Sequence, residues 1–153
     1  MLNVAVIGVG HLGRQHARLY SELEGAQLVG VVDVLQQRAE EVGGLYNAAF
    51  YTDYRDLFGK VDAVSLAVPT TEHARVGIDL LEHGIDVLIE KPIASSLDGA
   101  RSLIECAASH NRVLQVSHVE RFNPVVVLAR EAATRPQFFE IHRLAAFSPR
   151  SLD

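Results

Sequence analysis

Cysteine is nearly absent. Cys106 alone among 153 residues excludes an intramolecular disulfide and a thiolate metal cage, and with them the secreted-scaffold and zinc-ribbon classes. Positive charge is also scarce: 14 Lys and Arg against 19 Asp and Glu leave a net charge of -5, so the electrostatic footprint of a nucleic-acid binder is missing. No apolar run approaches the roughly 18 residues of a membrane-spanning helix. The apolar start, Met1 to Val9, lacks a basic leader region and is closed by Gly8 and Gly10, so neither signal peptide nor span is expected. A reducing, cytoplasmic setting is the expectation. What remains is 48% hydrophobic and 22% charged residues at the length of one globular domain.

Leu2 to Ile7 is a short, nearly continuous apolar run, the pattern of a parallel strand covered on both faces. A helix is predicted from Leu12, with Leu12, His16, Leu19, Tyr20 and Leu23 as its apolar stripe. Gln27 to Val32 reads as a second strand closing at Asp33, and Leu35 to Val42 as a helix stopped by Gly43-Gly44. Further strands are predicted over Ala49 to Tyr51, Val61 to Val68, Asp86 to Ile89 and Val113 to Ser117. Between them lie helices at Tyr54 to Phe58, after a Thr70 or Thr71 cap, and after a Ser95 cap paired with Asp98. This alternation predicts an α/β fold with a doubly wound parallel sheet over residues 1–117.

From His118 the rhythm breaks. His118 to Pro124 is turn-like, Val125 to Ala133 reads as a helix, and Gln137 to Ala145 as a strand with Phe138, Phe139, Ile141 and Leu144 as its apolar residues. A lone strand needs a pairing partner for its backbone groups. Something is therefore missing beyond these residues or supplied by another chain, and the strand from Phe138 to Leu144 is expected to pair with the same strand of a neighbouring copy in a homo-oligomer.

The sharpest motif is Gly8-Val9-Gly10-His11-Leu12-Gly13, G-x-G-x-x-G between a predicted strand and a predicted helix. Gly8 permits the tight turn, Gly10 a close backbone approach to a pyrophosphate, and Gly13 tight packing of helix on strand. A glycine turn without ligand is the plain alternative. Asp33 stands where the ribose-binding acid of such a fold belongs and, by repelling a 2'-phosphate, favours NAD over NADP; nearby Arg38 leaves NADP open. Asp33 can equally cap the following helix.

Beyond the carboxyl ends of the later strands lie Val68-Pro69-Thr70, Glu90-Lys91-Pro92 and Ser117-His118, which should border one cleft with the glycine loop. Lys91, between a carboxylate and a proline, is placed either as a proton donor and acceptor or as a surface ion-pair member. His118 is a candidate on the substrate side. The seven histidines show no tight ligand spacing, so no metal is expected, and His16 reads as a hydrogen-bonded core residue. Cys106 reads as a small, half-buried hydrophobe. No G-x-S-x-G elbow or paired carboxylates suggest a hydrolase.

With the glycine loop, Asp33, Val68-Pro69-Thr70 leading to His73, and Glu90-Lys91-Pro92 in that order, the chain resembles the Gfo/Idh/MocA oxidoreductases over essentially its whole length. The run His118-Val119-Glu120-Arg121-Phe122-Asn123-Pro124 is similar to the subgroup acting on nucleotide-linked sugars. The resemblance implies a Rossmann domain in which Gly8, Gly10, His11, Leu12 and Gly13 border the pyrophosphate and Asp33 the ribose. It implies that Pro69, Thr70 and His73 lie along the dinucleotide, and that Glu90, Lys91 and Pro92 meet its nicotinamide side. Lys91 would be catalytic, passing the hydroxyl proton while a sugar carbinol gives hydride to NAD. The resemblance also implies that residues 118–153 open a second, truncated α+β domain; in the family that domain supplies the substrate pocket and a catalytic histidine, so this chain is expected to bind cofactor but turn over weakly or not at all. A non-catalytic dinucleotide-binding or redox-sensing module is the competing class.

Overall fold

In the computed structural model, residues 1–135, 137, 138, 140 and 142 are described. The chain divides into two compact units, one ending at Ser117 and the other beginning at His118. In the first unit β1 (Leu2–Ile7), β2 (Ala26–Val32), β3 (Ala49–Tyr51), β4 (Ala63–Leu66), β5 (Asp86–Ile89) and β6 (Leu114–Val116) alternate with α1 (His11–Glu22), α2 (Gln36–Tyr46), α3 (Thr70–Glu82) and α4 (Leu97–Ser109). All strand pairs are parallel, in the order β3-β2-β1-β4-β5-β6. The predicted doubly wound Rossmann sheet is present, with the switch of direction between β1 and β4.

Strands buried on both faces explain the apolar runs. On one face Val6, Leu28 and Val31 pack with Ala17 of α1 and Val42 of α2; on the other Val64, Leu66 and Ile89 pack with Val76, Leu80 and Leu81 of α3 and Leu103 of α4. Successive residues of β1 and β2 divide between the two layers: Val6 and Val31 lie in the first, Ile7 and Val32 in the second. Parallel pairing brings the carboxyl ends of β1, β2, β4 and β5 to one edge, where the glycine loop, Asp33, Val68-Pro69 and Glu90-Lys91 follow them.

Several local expectations are corrected. The stripe of α1 that meets the sheet is Gly13, His16, Ala17 and Tyr20, whereas Leu12, Leu19 and Leu23 are 50%, 53% and 56% exposed. The small residues face the strand because α1 lies too close for leucine there: a Cβ on Gly13 would stand within van der Waals overlap of the Gly8 carbonyl oxygen. α2 does not stop at Gly43-Gly44 but runs through both to Tyr46, where Asn47 closes it in a left-handed conformation with φ 53°. Gly43 permits close packing instead, since its Cβ would lie 2.9 Å from the Ala48 carbonyl oxygen and 3.2 Å from Phe50 Cβ.

Neither Thr70 nor Thr71 caps α3, which starts at Pro69 without a side-chain cap. The cap of α4 is Ser96, whose hydroxyl accepts a bond from Gly99 N at 3.1 Å, one residue after the predicted Ser95. The predicted helix at Tyr54 is a short 3-10 helix, Tyr54–Leu57, and the fourth strand is shorter than its apolar run.

The second unit begins with a 3-10 helix, Val119–Phe122, and α5 (Pro124–Ala132), where the sequence predicts a turn and a helix. Asn123 caps α5 through its side chain, and Pro124 takes the first position, where a missing N–H costs nothing. The strand expected over Gln137 to Ala145 lies largely outside the described residues. Among the described residues no helix is long and apolar enough to cross a membrane.

The two neighbouring glycines of α2 should respond oppositely to substitution. Gly44→Ala, whose side chain would enter open space, should stabilise by about 0.5–1 kcal/mol, the ordinary gain for glycine replaced within a helix. Gly43→Ala should destabilise. Urea denaturation of both variants checks this, and the opposite ranking would contradict the packing role of Gly43.

Candidate functional site

Gly8 follows β1 at φ 83°, a region natural to glycine, and a Cβ there would lie 2.6 Å from the Ala67 carbonyl oxygen. Its N–H donates to Val32 O at 2.8 Å, while the Ile7 carbonyl accepts from Ala67 N at 2.8 Å. The turn is thus tied to both flanking strands. Gly10 differs from its two motif partners: a Cβ added to it would meet nothing within 4 Å. The space beside its backbone is open, which is the cradle a bound phosphate group requires.

α1 starts from Gly10 with no side-chain cap and no acidic residue in its first turn. The unused first-turn N–H groups of a helix and the positive end of its dipole favour an anion. A cleft of ≈ 850 Å³ runs from this end of α1 to the start of α2, with Gly10, His11, Arg14, Leu35, Gln36 and Arg38 among its walls. Arg14 and Glu41 form an ion pair across it at 2.7 Å. Sequence reasoning missed Arg14 and Gln36, because only the folding of α1 beside α2 turns them to a shared space. Leu12, Pro69, Thr70, Glu90, Lys91 and Pro92 are not among these walls.

Asp33, 6% exposed, is not among these walls either, but it is bonded to three residues that are, Val9, Leu35 and Arg38. Its Oδ2 accepts from Val9 N at 3.1 Å and Arg38 Nη1 at 3.3 Å, and its Oδ1 from Leu35 N at 3.0 Å. Asp33 does not cap α2, whose N-cap position is Leu35 without a side-chain cap. It ties the glycine loop to the turn before α2, and about one of its four lone-pair directions is left for a hydroxyl of a ligand.

The second cluster lies beyond β4 and β5. Glu90, 8% exposed, accepts from Lys91 N at 3.3 Å, while Lys91 itself is exposed. The Lys91-Pro92 peptide is cis. His16 joins this cluster from α1: its Nε2 is 3.1 Å from Glu90 Oε1 and its Nδ1 2.9 Å from Ser65 Oγ. The expectation of a hydrogen-bonded core histidine holds, and one of its partners is Glu90, which follows β5 at the carboxyl edge of the sheet. Nothing in the spacing of residues 16 and 90 announces that contact; it follows from α1 crossing over β4.

His73 is 1% exposed, beneath the turns that follow β4 and β5. Nδ1 is 2.9 Å from Pro92 O and Nε2 2.9 Å from Val68 O, so the imidazole staples the turn after β4 to the turn after β5. Pro69 is exposed and Thr70 half-buried above it. His118 is exposed at the start of the second unit. Cys106 sits half-buried on α4 with Sγ 3.8 Å from Ile78 O, and burial pushes its thiol pKa up, assisted by the charge of Glu82. A raised thiol pKa is that of an inert cysteine. Among the described residues no group of three or more His, Cys, Asp or Glu is arranged to hold a metal ion.

Residues 2–118 match the family model described as the oxidoreductase family with NAD-binding Rossmann fold. Among curated proteins, the chain is 39% identical over 153 residues to a UDP-N-acetylglucosamine 3-dehydrogenase of Acidithiobacillus ferrooxidans, covering 99% of this chain and 48% of the relative. An inositol 2-dehydrogenase of Rubrobacter xylanophilus is 37% identical over 133 residues, covering 84% and 38%. The solved structure of the Acidithiobacillus enzyme superposes with a TM-score of 0.91 at 38% identity, over 99% of this chain and 50% of that one. GenD2 from gentamicin A biosynthesis, solved in complex with NAD, superposes with a TM-score of 0.84 at 28% identity, covering 87% and 39%. The chain spans about half the length of the curated relatives it matches.

Proposed function

The chain belongs to the Gfo/Idh/MocA oxidoreductase family, with that family's NAD-binding Rossmann fold, and on this premise we propose that the complete protein is a dehydrogenase of a sugar alcohol group. The observation that carries the reading is the placement of Glu90-Lys91 and the glycine loop on one edge of the sheet, with open space beside Gly10. NAD is the favoured cofactor because the Asp33 carboxylate would repel a 2'-phosphate; Arg38, paired to it, keeps NADP as the alternative.

The residues present fit such a dinucleotide. Gly8, Gly10, His11, Leu12 and Gly13 would seat its pyrophosphate at the start of α1, and Asp33 would accept from an adenosine ribose hydroxyl. Pro69 and Thr70 would flank its middle, Glu90, Lys91 and Pro92 its nicotinamide side, and His73 would act on it only through the turns it staples. Bound NAD supplies the acceptor for a hydride. Lys91 would take the carbinol proton at Nζ as the C–H bond yields that hydride and the carbon becomes a carbonyl.

A nucleotide-linked sugar is the proposed substrate, supported by the Acidithiobacillus relative and by the run from His118 to Pro124, with His118 on the substrate side. The 153 residues would form the cofactor-binding part, and the substrate pocket would come from the rest of the second domain. In the same reading the protein works in the cytoplasm, as a homo-oligomer joined through the segment from Phe138 to Leu144; the support is the apolar pattern there and Phe138 at 81% exposure. Light scattering of the complete protein should give a multiple of the monomer mass, and a monomer at high concentration would defeat the oligomer.

Lys91→Ala in the complete protein should lower turnover of a UDP-linked amino sugar by about 100-fold or more. NAD(H) affinity should stay within about threefold of the parent, since Lys91 contributes chemistry and not anchorage. Steady-state kinetics with cofactor titration separates the two. A parallel loss of binding and turnover would make Lys91 a clamp, and unchanged turnover would remove it from the reaction.

A further inference from the structure

We propose that His16 is the positioning residue of the nicotinamide half of the site, fixing the Glu90 carboxylate and the Lys91 backbone to the helix that carries the phosphate-binding loop. The inference deepens the dinucleotide reading above and rests on it.

The argument begins with a buried carboxylate. Glu90 is 8% exposed and an ionised carboxylate only accepts hydrogen bonds, so it needs donors at hand. Two reach it: Lys91 N at Oε2 and His16 Nε2 at Oε1. In the neutral imidazole, the nitrogen facing that carboxylate, Nε2, carries the proton, which leaves Nδ1 as an acceptor facing Ser65 Oγ at 2.9 Å. Ser65 is fully buried on β4, and its hydroxyl donates to that nitrogen. The Tyr20 hydroxyl, 2.9 Å from Ser65 Oγ, then donates to the serine oxygen. Every proton has one acceptor, the chain runs one way from Tyr20 to Glu90, and among the described residues no buried side-chain polar atom is left without a partner.

That order has a mechanical meaning. His16 stands one helical turn beyond Gly13, on the helix whose first residue follows Gly10. Ser65, itself bonded to Tyr20, holds its ring from one side, so the imidazole presents Nε2–H in one direction only. Glu90, gripped at Oε1, holds the Lys91 amide with Oε2. The phosphate end and the nicotinamide end of a dinucleotide would thus be set at a fixed spacing by a side chain that touches neither. Helix α1 could lose this histidine and still bind the phosphates, while the turn at Lys91 would lose its reference to α1.

Two ligands separate this role from a structural one: NADH, which needs both ends of the site, and ADP-ribose, which lacks the nicotinamide. In the complete protein, His16→Asn keeps a polar group near Ser65 but cannot reach Glu90, whereas His16→Gln can place an amide donor close to the position of Nε2. Calorimetric titration should show His16→Asn and His16→Ala binding NADH about tenfold or more weakly, the cost of one buried bond to a charged acceptor, with ADP-ribose affinity within about twofold of the parent. His16→Gln should recover most of the NADH loss. If His16→Ala fails to fold, the asparagine and glutamine pair decides the matter. Equal weakening of both ligands, no weakening of either, or no difference between asparagine and glutamine would overturn the proposal. A parent protein that binds neither ligand would instead refute the dinucleotide reading, and this inference with it.

Discussion

The site depends on how closely α1 approaches the end of β1. Gly8 turns the chain in a backbone region that other residues resist, and Gly13 comes so near the Gly8 carbonyl that no side chain fits between them. That contact fixes the roll of the helix. Once Gly13 and Ala17 face the sheet, His16 and Tyr20 are carried to Ser65 on β4, His16 also to Glu90 after β5, and Arg14 is carried toward α2. A single close approach thus sets the start of α1, the cleft between α1 and α2, and the polar chain to Glu90 together.

The sheet does the rest through parallel pairing. Residues far apart in sequence, Asp33, Val68 and Glu90, share an edge because each follows a strand of the same direction, and the switch between β1 and β4 leaves a crevice between their helices. Backbone and side-chain bonds then stiffen the edge: Asp33 holds Val9, Glu90 N donates to Leu66 O, and His73 spans Val68 and Pro92. Such pre-set geometry suits the proposed alignment of a hydride donor with its acceptor.

The fold was legible because strands buried on both faces produce Val- and Ile-rich runs that no neighbouring pattern imitates. Where the reading failed, close packing had overridden hydrophobicity. The leucines of α1 suggested a stripe, but the helix lies too near the strand to bury them, so Leu12 and Leu19 face outward. Gly43-Gly44 looked like a helix stop, yet Gly43 exists to admit Ala48 and Phe50, and Asn47 ends the helix. The glycine loop, Asp33 and Lys91 were visible as motifs on strand ends. The roles of His16 and His73 were hidden because their partners, Ser65, Glu90 and two backbone carbonyls, are assembled only by tertiary structure. Distance in sequence conceals such contacts unless a motif joins them.

The central claim is that one dinucleotide lies from the Asp33 end of the cleft, across the glycine loop, to the turn at Lys91. Amide chemical-shift mapping of the complete protein during NAD titration tests it most directly. The account predicts saturable shifts at residues 8–13, 33 and 90–92 with a common dissociation constant. Shifts confined to other surfaces, or none at millimolar NAD, would contradict it.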